Sequence, residues 1–366
     1  MSDTAALRVL HIGKFFPPFM GGMETYLADL ITEQRAQGTA AFALVHGDPL
    51  PEDPPWLRRV PVQWQPLYAP IALGFPAALQ RAIREFQPDV LHLHLPNNGA
   101  FWCLEVPAAL RLPWVVHWHS DVLVSEEHSL LTLAYLAYRP FEQALLSRAV
   151  RVAVTSPPYM DDSEPLRAWT HKCVVVPLGL RPLAAAPSTS DTLRAENAAA
   201  WPQMPETPAS TSLRVLAIGR LSHYKGFDTL IDAVAQTPGA VLQIAGDGEL
   251  RAELQARIDA LRSSSNEPVR VRLLGHVTEA HKQALLANCD VLAMPSCEKT
   301  EAFGMVLLEA MAHAKPCLVS ALPGSGMPWV VASSGCGRLV PLRDVSAWGM
   351  ALDWMAARPL ERHAMG

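Results

Sequence analysis

Two carboxylates seven residues apart, Glu301 and Glu309 in E-A-F-G-M-V-L-L-E, are the residues of this chain best placed to do chemistry. The run GMVLLEAMAHA predicts a helix over 304–314, with Glu309 set among apolar side chains. A carboxylate there is costly unless something hydrogen-bonds it. The Ala302-Phe303-Gly304 turn leads into that helix, whose first N–H groups and positive dipole end suit a phosphate. Glu301 lies just outside, in the loop. A ligand with hydroxyls at both ends and a diphosphate between them satisfies all three features, and a nucleotide-sugar is such a ligand. The plain alternative is a solvated helix face and an ordinary loop acid.

Other charged residues point the same way. Leu213–Gly219 (LRVLAIG) reads as a buried parallel strand, followed by Arg220, a short polar loop and Lys225-Gly226. Ligands bind beyond the carboxyl ends of strands in open α/β sheets, and an Arg fork with a Lys point charge suits a diphosphate. Both residues are expected on a loop that carries no core packing. His119 follows the apolar strand 113–118. His117 is expected to point away from it and to be structural, while Asp121 could orient His119 or meet an acceptor. His92 and His94 alternate with leucines in VLHLHLP, a pattern open to metal ligation or to a core strand with satisfied histidines. No D-x-D pair is present to hold a divalent ion.

These residues need a scaffold, and the chain repeats one. LRVLHIGK at 7–14 and LRVLAIGR at 213–220 agree at six of eight positions. Each is followed by a glycine-bearing loop and a helix, so two Rossmann-like halves are expected. In the first half Gly21-Gly22 removes side chains where a helix begins, which lets a sugar or diphosphate approach the backbone, although such a pair is also an ordinary turn. Apolar runs predict strands at 7–12, 41–46, 89–94, 113–118, 150–155, 173–177, 213–219, 240–246, 269–274, 290–294, 316–320 and 337–340. Helices are predicted at 22–37, 75–86, 100–111, 129–147, 160–168, 227–236, 249–262, 279–286, 304–314 and 345–356. That alternation implies parallel sheets covered on both faces. The stretch 181–212, rich in Pro, Ala, Ser and Thr, reads as a linker between a first domain, 1–180, and a second, 213–366.

With the pieces placed, the chain resembles the glycosyltransferase family 4 enzymes. The likeness rests on Gly21-Gly22, His119 in HWHSD, Gly219-Arg220 with Lys225-Gly226, Gly246-Asp247-Gly248, Gly275-His276-Val277 and the Glu301/Glu309 pair. It implies a retaining enzyme of the GT-B fold, two Rossmann-like domains facing across a cleft, with an acceptor domain first and a donor domain second. It implies catalytic roles for His119, Arg220, Lys225 and Glu301. It implies donor contacts at Gly21, Gly22, Gly248, Val277, Phe303, Gly304 and Glu309, no metal, and front-face attack in which the leaving phosphate takes the acceptor's proton. HWHSD, SPPYM and KCVVVPLGL are most similar to bacterial mannosyl and rhamnosyl transferases of surface polysaccharide and lipopolysaccharide assembly. The donor expected is GDP-mannose, with a UDP-sugar as rival; the acceptor is a glycan or lipid-linked oligosaccharide. In the family a last helix crosses back onto the first domain, and this sequence reaches Met365-Gly366 about where that helix begins, so a truncated crossover is expected. A sugar-nucleotide epimerase and an inactive nucleotide-binding module are the alternatives.

Composition bounds the rest. The 366 residues suffice for two cores. Lys and Arg number 30 against 35 Asp and Glu, a net charge of −5 that argues against nucleic acid as partner. Six cysteines without a C-x-x-C pair indicate neither a zinc site nor a disulfide framework. The N-terminus lacks a cationic start and a cleavage site, and Arg139, Pro140 and Glu142 interrupt the most apolar helix, so a cytoplasmic enzyme is expected. Peripheral contact with the inner membrane face is expected through FFPPFM (15–20) and helix 129–147, unless both are simply core.

Overall fold

A computed structural model describes residues 6–19, 21–66, 69–122, 129–181, 201, 213–264 and 269–366. The chain divides into two compact units, Met1–Arg181 and Pro182–Gly366. The linker expected over 181–212 lies outside the described residues except for Arg181 and Trp201.

The first unit is built on β1 (Arg8–Ile12), β2 (Ala40–His46), β3 (Leu57–Val60), β4 (Val90–Leu95), β5 (Trp114–Trp118), β6 (Arg151–Val154) and β7 (Cys173–Val175). They form one sheet in the order β3-β2-β1-β4-β5-β6-β7, and its strand pairs are parallel. Its helices are α1 (Gly22–Ala36), α2 (Phe75–Phe86), α3 (Ser129–Arg148) and α4 (Pro157–Asp162). The second unit has β8 (Leu213–Ile218), β9 (Ala240–Ala245), β10 (Val271–Gly275), β11 (Val291–Met294), β12 (Cys317–Ser320) and β13 (Gly337–Val340), in the order β10-β9-β8-β11-β12-β13 and again parallel. Its helices are α5 (Phe227–Ala235), α6 (Arg251–Ser264), α7 (Glu279–Asn288), α8 (Met305–Ala312), α9 (Gly326–Ser334), α10 (Val345–Ala357) and α11 (Pro359–Met365). Central strands such as β9 and β11 are buried at every position, which is what helices on both faces require of a parallel sheet.

The departures from expectation have local causes. β3 escapes a hydrophobic reading because half of LRRV is arginine. It is an edge strand, and its arginines are paired, Arg58 with Glu85 at 2.9 Å and Arg59 with Asp53 at 2.9 Å. The expected helix 100–111 is instead two 3-10 turns, Asn98–Leu104 and Ala109–Arg111, on either side of Pro107, which has no N–H to give a helix. The expected helix 160–168 is α4, because Ser156 caps it and Pro157 and Pro158 occupy its first positions. The unexpected α9 carries Pro328 in its first turn, where proline is tolerated, behind the cap residue Ser325. The unexpected α11 belongs to the second unit, with Arg362 donating to Met355 O at 2.8 Å and pairing with Asp290 at 3.2 Å.

Among its described residues, the apolar loop 15–20 after β1 is core only at the first two. Phe15 and Phe16 are each 7% exposed, whereas Pro18 and Phe19, the latter at 48%, meet solvent. Met20 lies outside the described residues. On α3, Leu133, Leu136 and Phe141 are exposed. No helix among the described residues is long and apolar enough to cross a membrane.

Candidate active site

In the second unit β8 lies between β9 and β11. Its two crossovers therefore leave on opposite sides and open a crevice at the strand ends. The loop after β8 runs through Arg220 to the 3-10 turn His223–Lys225, then Gly226, which starts α5 in the left-handed region with φ 63°. A Cβ on Gly226 would collide with Pro295 O, so a residue without one lets the loops after β8 and β11 pack together. That packing draws Lys225 inward. It is 8% exposed rather than on a free loop, and its ammonium is ion-paired with Glu301. Burial alone lowers the lysine pKa, but the attraction of Glu301 and Tyr224 outweighs it, so the net shift is upward and Lys225 stays charged.

Glu301 is held from behind. Ser325 Oγ donates to its carbonyl at 2.6 Å, and Gly326 N donates to Ala302 O at 2.7 Å. Ala302 and Phe303 are buried, and Gly304, with φ 79°, turns the chain into α8. Lys225, Glu301 and the α8 N-terminus thus meet at the β8/β11 switch point. A cation beside a helix N-terminus favours an anion, and a carboxylate beside them accepts from hydroxyls.

The remaining candidates of this unit surround that point. Arg220 pairs with Glu249 at 3.2 Å, both side chains about half exposed. Gly248 lies against Leu221, whose carbonyl stands where a Cβ would be. Val277 is half-buried after β10, just before Thr278, the cap of α7. Glu309 is paired with Lys282 of α7 at 2.9 Å. Burial lowers the Lys282 pKa, and Glu309 and Glu279 raise it by more, so this lysine is also charged.

In the first unit the strand order reverses at β1 and β4. Gly21 precedes α1 in extended backbone, φ 178°, and Gly22 is the exposed first residue of the helix. The position of a Cβ on Gly21 is filled by the carboxylate of buried Glu24. Burial raises the Glu24 pKa and lowers that of Lys14, with their mutual attraction opposing both.

His119 is 8% exposed at the end of β5, in a layer of imidazoles. Its Nε2 lies 3.0 Å from His94 Nδ1; His94 Nε2 lies 3.1 Å from His11 Nδ1; His11 Nε2 lies 2.8 Å from Gln34 Oε1. His117 does not point away. Its ring stacks on His119 at 4.3 Å, because residues two apart on a strand share a face. His92 joins the same face, paired in register with His11 as His94 is with His117. Tyr26 of α1 sets its ring edge against His117 at 5.0 Å and His119 at 5.5 Å. Burial lowers the pKa of His11 to about 4 and of His117 to about 3, and holds His92, His94 and His119 well below 6.5, so the layer is neutral. Two trios, His11/His92/His94 and His94/His117/His119, bring ligand nitrogens within 4.8 Å of one another and could hold a metal ion. Both nitrogens of His94 are, however, already engaged with other histidines. Asp121 accepts from Trp118 Nε1 at 3.0 Å and Ser163 Oγ at 2.7 Å, contacts that tie β5 to the segment after α4.

Lys282, Glu249, Glu24, Tyr26 and Gln34 are partners that the sequence reading missed. Tyr26 and Gln34 carried a signal, since a spacing of eight puts both on one stripe of α1, facing the histidine strands.

Two parallel Rossmann-like units with their polar residues at the strand ends define the GT-B class of fold. Residues 21–179 match the Glycosyl transferase 4-like domain and residues 203–366 match Glycosyl transferases group 1. This chain is a glycosyltransferase made of those two domains. It is 28% identical over 368 residues to D-rhamnosyltransferase WbpZ of Pseudomonas aeruginosa, covering 98% of this chain and 89% of that protein. It is 27% identical to O-antigen chain mannosyltransferase C of Escherichia coli over 354 residues, 95% of this chain and 88% of the other. Among solved structures, sucrose-phosphate synthase from Thermosynechococcus elongatus superposes with a TM-score of 0.72 at 25% identity, over 98% of this chain and 92% of that one.

Proposed function

We propose that this glycosyltransferase moves a hexose, mannose or its 6-deoxy relative rhamnose, from a nucleotide-sugar to a surface polysaccharide or lipid-linked oligosaccharide, with retention at the anomeric carbon. The names of the two relatives support the sugar and the kind of product. The observation that carries the reading is the buried Lys225–Glu301 pair at the β8/β11 switch point, beside the first turn of α8.

As the sugar C1–O bond breaks, negative charge grows on the departing diphosphate. Lys225, Arg220 and the N–H groups after Phe303-Gly304 supply fixed positive charge for it, usually the largest catalytic term. Without donor, Lys225 and Glu301 satisfy each other; with donor, the ammonium turns to phosphate and the carboxylate to sugar hydroxyls. Arg220 leaves its exposed pair with Glu249 at little cost. Glu309 holds the ribose, with Gly248 and Val277 framing the nucleoside. In the first unit, His119 is the residue proposed to meet a substrate hydroxyl, and Gly21 and Gly22 keep the backbone side-chain-free at the start of α1. Attack is from the front face, and the leaving phosphate oxygen takes the acceptor's proton. These cations serve where a divalent ion serves in other transferases, so the donor binds without metal.

Thermal shift with GDP-mannose, UDP-glucose and UDP-N-acetylglucosamine, followed by anomeric analysis of the product, tests the reading. GDP-mannose at a hundred times its Kd should stabilise the fold by about 2.7 kcal/mol. An α-linked product is expected; release of free or epimerised sugar without transfer would overturn the assignment. Stabilisation by a UDP-sugar alone would change the donor and leave the site standing.

A further inference from the structure

We infer that Gln34 is a positioning residue for the transfer: through His11 and His94 it sets the tautomer of His119, so that His119 presents Nδ1 as a lone pair to a substrate hydroxyl. The inference rests on the role proposed above for His119.

The argument is one of proton counting along a chain of four side chains. Gln34 Oε1 can only accept, so His11 Nε2, 2.8 Å away, carries the hydrogen. A neutral imidazole has one N–H. His11 Nδ1 is therefore a lone pair, and the contact at 3.1 Å is a donation to it from His94 Nε2–H. His94 Nδ1 is then a lone pair too, and it accepts from His119 Nε2–H at 3.0 Å. Each ring passes the polarity to the next, and His119 Nδ1 is the nitrogen left without hydrogen. The chain holds only while all three rings are neutral. Burial ensures this, lowering His11 to about 4 and His94 and His119 well below the ordinary value.

The scaffold serves the chain at both ends. His11, His94 and His119 come from β1, β4 and the end of β5, adjacent strands of one parallel sheet. Gln34 and Tyr26 both come from α1, Gln34 bonding the first ring and Tyr26 lying against the last. With the opposite polarity, His119 would carry its hydrogen on Nδ1 and could only donate to a ligand oxygen there. A hydroxyl that must give up its hydrogen bond would then find no acceptor.

The test is the ring 15N spectrum of the full-length protein at neutral pH, together with steady-state kinetics, for wild type, Gln34→Met and Gln34→Glu. Gln34 is a half-buried residue on a surface helix, so its replacement should not unfold the protein. Wild type should show His119 protonated at Nε2 and bare at Nδ1. Gln34→Met removes the acceptor, so His119 should become a tautomer mixture and kcat should fall about tenfold with donor KM changed less than about twofold. Gln34→Glu keeps an acceptor and should restore both. A wild-type His119 with hydrogen on Nδ1, an unchanged His119 spectrum in Gln34→Met, or a changed spectrum with full kcat would each overturn the inference. The spectra need no turnover, so a failed transferase reading shows itself separately, as wild type inactive on every donor.

Discussion

Lys225 and Glu301, 76 residues apart in sequence, are brought into a buried ion pair by the neighbouring strands β8 and β11. The side chains are 10% and 14% exposed, so neither charge has water as a ready substitute for the other. Lys225→Ala should therefore do two things. Loss of a cation from the leaving-group site should lower kcat about 10²–10³-fold. Leaving Glu301 buried alone should destabilise the second unit by about 3–5 kcal/mol. Lys225→Ala/Glu301→Ala together should regain much of the stability and none of the activity. Urea unfolding and single-turnover assays of the three proteins check this, and full activity in Lys225→Ala would remove the lysine from the mechanism.

Arg220→Ala is the contrasting case. Its pair with Glu249 is half exposed and contributes about 0–1 kcal/mol. Turnover should fall by a similar factor to Lys225→Ala while the unfolding midpoint barely moves. A large loss of stability with normal turnover would reverse the assignment.

The histidine layer predicts acid lability of the first unit. These rings are neutral when folded, with pKa values about 4 for His11 and about 3 for His117, against 6.5 when unfolded. Their contribution to stability is complete above pH 6.5 and is lost as pH falls from 6.5 toward 4, because the unfolded chain takes up protons that the folded one refuses. Each ring costs at most about 1.4 kcal/mol per pH unit. Burial pushes the Glu142 carboxyl up to about 7, which works the other way between pH 4.5 and 7 and offsets one ring. Melting temperature measured from pH 7.5 to 5 should drop steeply below 6.5; a flat profile would mean that the layer is not buried neutral.

Chelation should leave the reaction intact. If Lys225, Arg220 and the α8 N-terminus carry the diphosphate, excess EDTA should not reduce the rate, and added Mg²⁺ or Mn²⁺ should not raise it. Activity lost to chelator and restored by either ion would contradict the donor site proposed.

Contact with a lipid surface, if this enzyme extends a lipid-linked acceptor, should run through α3 and Phe19. Leu133, Leu136 and Phe141 are 64%, 60% and 46% exposed, whereas Phe15 and Phe16 are core. Co-flotation with anionic liposomes should be lost in Leu133→Ser/Leu136→Ser with the melting temperature unchanged, while Phe16→Ser should lower the melting temperature itself. Wild type that never floats would end this reading.

Sequence alone was enough to place most of the elements. Strands of a parallel sheet covered by helices read as apolar runs, so β1, β2 and β4 to β13 were legible, as was the repeat that makes two units of one chain. Motif spacing likewise marked Arg220, Lys225, Glu301 and Glu309, since loops at strand ends are where polar residues interrupt apolar runs. Elements held by polar contacts were not legible: β3 is an edge strand whose arginines find Asp53 and Glu85, and α9 hides behind a proline that its first turn tolerates. Partners were beyond reach of the sequence for a different reason. Whether Glu301 faces Lys225, Glu309 faces Lys282, or a stripe on α1 reads the tautomers of three histidines depends on which strands lie side by side. Strand order is a property of the assembled sheet, settled by contacts among residues tens of positions apart, and only the tertiary structure decides it.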